Sequence, residues 1–257
     1  MSRTIMLGKS GDILSILPCL QAEYRETGIK PTLVVAKEYA ALPRALPWLS
    51  VEEFPDSFER LGEAIKWAKL RGKVDFVPQL FGVDYPMPVR RNPSFQYDQW
   101  ERMGRLHQWS ELALELPRPG GAPIPINPFI LLADHSQSSP FGPIEDVFES
   151  LKKTFPSHSI VRCSSIRLPL LMGFLTLMDA AALIVTIDTA FLHLSRACKT
   201  PVIALVTDHP STWHGSAYHH RFSFHCRYSD YALRKSELLW VAKKELTRRS
   251  QKVMMTA

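Results

Sequence analysis

Two short segments place residues able to do chemistry at the end of an apolar run. The first is Gly8-Lys9-Ser10-Gly11-Asp12-Ile13. Backbone N–H groups in a glycine-rich turn before a helix can hold an anion, so Lys9, Ser10 and Gly11 are candidate ligands. Asp12 offers a carboxylate at the cleft end of the strand, where it can act as a base toward a hydroxyl. The plainer role for an Asp there is helix N-cap, and spacing alone favours that role. Gly-Lys-Ser also ends the P-loop, but that loop needs a glycine where Arg3 stands, and its strand must precede the loop rather than occupy it. A P-loop nucleoside triphosphatase is excluded.

The second segment is Ile184-Val185-Thr186-Ile187-Asp188-Thr189-Ala190-Phe191-Leu192-His193-Leu194-Ser195. A buried strand would deliver Asp188 and Thr189 to a sheet edge, and a short helix would start at Ala190. Its dipole and free N–H groups suit a diphosphate. Asp188 can accept hydrogen bonds from sugar hydroxyls, and His193 can reach a phosphate. The alternative is an N-cap at Asp188 or Thr189 and a core histidine at His193.

Two further sets are weaker. His209, His214, His219, His220 and His225 lie close in sequence. Their spacing is not helical, they lack an HExxH-type acidic partner, and Cys226 alone is a poor fourth ligand, so no metal is expected. Arg90 and Arg91 precede Phe95, Tyr97, Trp100, Arg102, Arg105, His107 and Trp109. Interleaved cations and aromatics suit nucleic-acid bases. They suit a helix better, with Trp100, Met103 and His107 on one face and Glu101 paired to Arg105 at i,i+4. Arg90 and Arg91 then lie on an acceptor-facing loop.

These segments need elements to hold them. Apolar periodicity predicts a strand over Thr4–Leu7, a helix from Ile13 through Tyr24 closed by Gly28, and strands at Thr32–Ala36 and Val51–Phe54. Asp56 and Glu59 make a capping box for a helix with Phe58, Leu61, Ile65 and Ala68 inward and Gly72 at its end, and Val74–Val77 reads as a strand. The segment Pro117–Pro128 holds five prolines and two glycines in twelve residues. That composition is a hinge, dividing the chain into domains 1–120 and 121–257. Beyond it, strands at Phe129–Ala133, Ser159–Arg162, Leu183–Ile187 and Pro201–Val206 alternate with helices at Pro143–Thr154, Leu168–Ala180 and Ala190–Cys198. A final helix covers Ser236 to about Arg249. Such alternation predicts two α/β, Rossmann-like domains with parallel sheets and a ligand cleft between them.

Composition sets the outer bounds. The chain has 257 residues, 46% hydrophobic and 22% charged, which excludes general disorder. A net charge of +6 favours anionic partners. Cys19, Cys163, Cys198 and Cys226 form no C-x-x-C pair, so buried, reduced thiols and a cytoplasmic location are expected. The apolar stretch Leu168–Ile187 is broken by Pro169, Gly173 and Asp179, which predicts a buried helix and strand rather than a membrane span.

Taken in order, the motifs resemble a known family. Gly11-Asp12-Ile13-Leu14-Ser15-Ile16-Leu17-Pro18-Cys19-Leu20 is similar to the "GD-apolar-x-x-x-x-P-x-L" opening of heptosyltransferases, the lipopolysaccharide-core glycosyltransferases of GT-B fold. Asp188-Thr189-Ala190-Phe191-Leu192-His193-Leu194 resembles their "D-[ST]-G-x-x-H-L" segment, and the "K-x-P-V-I-A-L" strand from Lys199 follows it. Thr207-Asp208-His209-Pro210-Ser211-Thr212-Trp213 resembles their "T-D-P-x-x-W" loop.

The resemblance implies two Rossmann-like domains, acceptor-side then nucleotide-sugar-binding. It implies inverting, metal-independent sugar transfer from a nucleotide-sugar, which is a co-substrate, with no cofactor. Asp12 would be the general base. Asp188, Thr189, Ala190, His193, Thr207 and Asp208, with Lys9, Ser10 and Gly11, would hold the donor. A glycolipid acceptor at the inner membrane face fits the resemblance; the net charge and the Arg/aromatic segment instead suit the alternative of a virus-encoded DNA glycosyltransferase acting on hydroxymethylated pyrimidines, and Arg90 and Arg91 are expected to face the acceptor in either case. A non-catalytic nucleotide- or nucleic-acid-binding protein on this scaffold is the contrasting reading. Ala190 stands where the family has Gly, and Asp134–Pro140 lacks the family's basic residue after the first strand of the second half, for which Lys9 is a substitute.

Overall fold

Short β-branched and aliphatic runs form the strands of two parallel sheets. The computed structural model describes residues 2–57, 59–78, 95–108, 114–136, 140–206 and 223–256. The chain divides into two compact units at the Pro117–Arg118 link.

In the first unit β1 (Arg3–Ile5) pairs in parallel with β2 (Thr32–Ala36), which pairs with β3 (Ser50–Phe54). On the free side of β1, Thr4 bridges Phe76 in parallel, with Ile5 N donating to Phe76 O at 3.0 Å. The expected strand at Val74–Val77 is thus reduced to this bridge. The spatial order β3, β2, β1 and then the Phe76 segment reverses direction beside β1, and open α/β sheets bind ligands at such a reversal, beyond the carboxyl ends of the strands.

The 18-residue helix α1 (Ser10–Thr27) follows β1 and buries Ile13, Leu14, Ile16, Leu17 and Leu20. Gly28, at φ 70°, takes the left-handed conformation that closes it, and its N–H donates to Tyr24 O at 2.8 Å. A 3₁₀ turn at Lys37–Tyr39 and the short α2 (Ala41–Arg44) follow β2. Helix α3 (Leu61–Lys69) buries Leu61, Ala64, Ile65 and Ala68. It starts later than the Asp56/Glu59 box predicts. The Asp56 carboxylate instead accepts from its neighbour Ser57 N at 2.8 Å and pairs with Arg60, so it caps no helix. Phe58 lies outside the described residues.

Helix α4 (Phe95–Arg102) lies against α1 and buries Trp100 and Gln99. Met103 is buried as expected, but His107 is exposed. The expected Glu101–Arg105 pair does not share a helix, because α4 ends at Arg102 and Gly104, at φ 68°, turns the chain. Arg105 instead grips Glu26 of α1 through two hydrogen bonds of 2.6 Å.

In the second unit the strands are β4 (Phe129–Ala133), β5 (Ser159–Arg162), β6 (Leu183–Ile187), β7 (Val202–Val206) and β8 (Phe224–Arg227). All described pairs are parallel, in the order β5-β4-β6-β7-β8. This is the doubly wound pattern in which the strand order switches between β4 and β6. Helices α5 (Ile144–Thr154), α6 (Phe174–Ala180), α7 (Ala190–Leu194) and α8 (Tyr231–Thr256) connect and flank the strands. The core joins Leu132, Val147, Leu151, Val185, Ile203 and Leu238 among others.

The apolar stretch read as a buried helix and strand is α6 and β6. Here α6 starts at Phe174, after a 3₁₀ turn at Leu171–Gly173, because Pro169 bars helix through the segment before it. Among the described residues no helix is long and apolar enough to cross a membrane. All four cysteines are buried thiols outside any disulfide, Cys19 in the first unit and the other three in the second.

Candidate functional site

At the carboxyl end of β1 the backbone stays tied to the sheet, with Met6 N donating to Val34 O at 2.9 Å. The turn at Gly8 and Lys9 then leads into α1. Lys9 is the N-cap and Asp12 the third helical residue, so Asp12 is not itself the cap. Its Oδ2 reaches back to accept from Lys9 N at 3.0 Å, the return arm of a capping box. The carboxylate lies folded over Gly8: a Cβ there would stand 2.5 Å from both Asp12 Cβ and Oδ2. Only glycine leaves room for Asp12 in this position. Ser10, Gly11 and Asp12 are half-buried at the start of the helix.

Sequence reasoning missed Tyr39, which follows β2 at the same sheet edge. It packs against the unit's apolar cluster. Burial raises its phenol pKa, and the carboxylates of Glu38 and Asp12 raise it further, so Tyr39 stays a neutral hydroxyl near Asp12. Its place directly after a strand of the predicted sheet was the available signal.

Deeper in the unit, Ser15 Oγ stands 2.6 Å from both Asp12 O and the Gln99 side-chain amide. A hydroxyl has one proton, so Ser15 donates to Asp12 O while the Gln99 amide, turned over, donates to Ser15. That orientation also partners the amide nitrogen otherwise buried without an acceptor. Trp100 Nε1 donates to Ser15 O at 2.8 Å. The turn that carries Asp12 is thereby bolted to α4.

In the second unit the switch between β4 and β6 brings two loops together. Ser136 Oγ, after β4, donates to Asp188 O, after β6, at 3.3 Å. Asp188, Thr189 and Ala190 are half-buried here. Thr189 is the N-cap of α7, its Oγ1 accepting from Phe191 N at 3.0 Å. The capping alternative for Thr189 therefore describes what its side chain does. The expected helix over Ala190–Cys198 is a five-residue α7 followed by a 3₁₀ turn at Ser195–Ala197, which weakens the dipole argument. His193 is only 8% exposed, a position of the interior.

Beside this switch lies an ion cluster that spacing did not reveal. The Asp134 side chain, 1% exposed, accepts from Arg162 Nε at 2.6 Å, from Ser164 N at 3.0 Å and from Ser164 Oγ at 2.6 Å. Burial alone would push the Asp134 carboxyl up. The bonds from Ser164 and Arg162 outweigh it and hold the carboxyl below its ordinary value. Arg162 also donates from its two terminal nitrogens to Glu145, in the first turn of α5, at 2.9 and 2.5 Å.

The remaining sequence candidates divide simply. Arg90, Arg91, Thr207, Asp208, His209, His214, His219 and His220 lie outside the described residues. His225 sits in β8. Among the described residues no three His, Cys, Asp or Glu side chains stand together as a metal-binding group. A cavity of about 230 Å³, lined by Asp179, Lys199, Thr200, Glu245 and Arg249, opens where β7 begins, at the opposite edge of the second sheet. Arg249 there is already donating to Asp179 O at 2.9 Å and Thr200 Oγ1 at 3.2 Å.

Comparison with known proteins meets this geometry at the second switch. Residues 167–234 match the sequence profile of Glycosyltransferase family 9 (heptosyltransferase), a span that includes α6, β6, Asp188 and β7. No curated protein sequence matches the chain. Among solved structures, Escherichia coli ADP-heptose lps heptosyltransferase II is similar with a TM-score of 0.56 at 12% identity, covering 97% of this chain and 100% of that one. A glycosyltransferase of family 9 from Veillonella parvula has a TM-score of 0.52 at 12% identity, covering 99% and 97%. The heptosyltransferase TibC of enterotoxigenic E. coli, an iron-containing dodecamer solved also with ADP-D-beta-D-heptose, gives TM-scores of 0.54 and 0.55 at 15% and 13% identity. The chain covers 57% and 59% of the TibC chains, so it spans less than two thirds of their length. The fold is that of the GT-B glycosyltransferases. Over residues 167–234 the chain is similar to the heptosyltransferase family, the resemblance that the motif at Asp188 carries.

Proposed function

We propose that the protein is an inverting glycosyltransferase that takes its sugar from a nucleotide-sugar. The observation that carries this reading is the coincidence of the family 9 match with the β4/β6 switch, where Asp188 and Ser136 meet. The second unit holds the donor: Asp188 accepts from sugar hydroxyls, the Thr189–Ala190 turn borders the sugar diphosphate, and His193 backs the turn. The first unit supplies Asp12 as base, beside the N–H groups of Lys9, Ser10 and Gly11. Asp12 removes the acceptor hydroxyl's proton as that oxygen bonds to the anomeric carbon. The carbon–oxygen bond to the diphosphate breaks, and the electron pair leaves with the nucleoside diphosphate. Protein groups meet the charge of the leaving group, so the step as drawn uses no metal and no cofactor.

The acceptor in this reading is an anionic glycolipid at the inner membrane face, in keeping with the net charge of +6. Thermal-shift measurements with ADP-heptose and a panel of other nucleotide-sugars should raise the melting temperature for the true donor. Mass spectrometry after incubation with a lipopolysaccharide-core glycolipid should then show a gain of one glycosyl unit. A gain on hydroxymethylated DNA instead would replace the acceptor and keep the reaction. No shift with any donor and no product would overturn the reading.

The packing at Gly8 adds a second expectation. Gly8→Ala sets a methyl group against the Asp12 carboxylate, 2.5 Å from Oδ2. A displacement of about 1 Å at a reacting group lowers rates on the order of a hundredfold. Turnover by the alanine variant should fall by that factor while donor binding persists. Unchanged turnover would show that the folded-back carboxylate is not the working position.

A further inference from the structure

The geometry points to Arg162 as the cation that meets the donor's diphosphate, with Glu145 as the counter-ion which that diphosphate displaces. The inference rests on the donor-site reading of the second unit. A guanidinium offers donors along two edges, and here the two edges have different partners. The Nε edge is fixed by Asp134, whose side chain is 1% exposed and which holds two further bonds from Ser164. That partner cannot leave without stranding a buried carboxylate. The terminal edge faces Glu145, whose side chain is 65% exposed. A carboxylate at that exposure is held weakly and is open to exchange.

Position supports the assignment. Arg162 ends β5 and is in register with Leu132 of β4, the strand at the switch. Its side chain leans over the end of β4, as the bond to Asp134 requires. The Phe148 ring lies against the guanidinium, its centroid 5.0 Å from Cζ, and limits its movement. The terminal edge is therefore held in one orientation, forked to fit two oxygens of a phosphate as it now fits two of Glu145. Asp134, directly after the first strand of this half, thus recruits the arginine of the neighbouring strand to the same sheet edge.

The test uses the full chain and calorimetric titration with ADP, GDP and UDP, each compared with its nucleoside. Arg162→Gln should weaken the diphosphates by about tenfold or more, the effect of a lost charge-assisted pair, and leave the nucleosides unchanged. Arg162→Lys should fall between. Glu145→Gln should tighten the diphosphates severalfold, because no anion then has to be displaced. A merely structural ion pair would not produce that gain. Unaltered diphosphate affinity in Arg162→Gln, or no tightening in Glu145→Gln, overturns the inference and leaves the donor-site reading standing. If the folded wild type takes up none of the three diphosphates, the donor-site reading falls and this inference with it. Should Arg162→Gln fail to fold around the stranded Asp134, the Glu145→Gln titration decides, since it alters only an exposed group.

Discussion

Replacing Asp12 by Asn is expected to lower kcat by about 10²–10⁴-fold, the range that a positioned general base supplies. The substitution isolates basicity from structure. Asn keeps an oxygen that can accept from Lys9 N, as Asp12 Oδ2 does at 3.0 Å, so the first turn of α1 survives. Nucleotide-sugar binding should be unchanged, and kcat and kcat/KM should fall together, as for an interaction made only in the transition state. The pH–rate profile should lose its acidic limb. Steady-state kinetics with the true donor, alongside calorimetry, measures all three. Full turnover by the Asn variant would remove Asp12 from the mechanism. A protein that binds nucleotides without catalysis would show no phenotype for this variant.

Trp100→Ala should destabilise the first unit by about 3–5 kcal/mol, the usual range for truncating a fully buried tryptophan. Trp100 is 0% exposed and joins α4 to α1. Its indole also supplies a hydrogen bond to Ser15 O at a place where α1 is weak. Pro18 lies inside α1, so the helix lacks the bond that would run to Leu14 O, and Ser15 O is the next carbonyl along. Trp100→Phe keeps most of the apolar burial and loses only that bond, at about 1–2 kcal/mol. Chemical denaturation, with the midpoint displaced and the slope kept, separates the two variants. Equal stabilities for both would mean that the lost hydrogen bond alone matters there, and wild-type stability for Trp100→Phe would mean that area alone does.

Much of this architecture was readable because strands such as Phe129–Ala133 and Leu183–Ile187 are nearly continuous apolar runs between turn signals. The reading failed where polar chemistry competes with the pattern. Asp56 looked like a cap, yet Ser57 N and Arg60 take its oxygens and the helix waits until Leu61. Strand β8 was missed because Phe-His-Cys-Arg is a four-residue edge segment, with His225 and Arg227 sharing one face, that follows a histidine-rich stretch. At the candidate site, Asp12 and Asp188 were legible as acids that follow a strand and precede or open a helix. Arg162 was not, because its partner Asp134 is far away in sequence and the two meet only through the β4–β5 register. The prediction of both strands contained that neighbourhood, but not which edge of the guanidinium would be left facing an exposed acid.

The burial of all four thiols has a consequence for handling the chain. Desolvation pushes the Cys163 thiol far above its ordinary value, so at neutral pH it presents little of the nucleophilic thiolate. Alkylating reagents must wait for the polypeptide to open before they reach sulfur. Cys19 sits on α1 while Cys163, Cys198 and Cys226 belong to the second unit, so peptide mapping of a timed alkylation yields a separate clock for the loosening of each half.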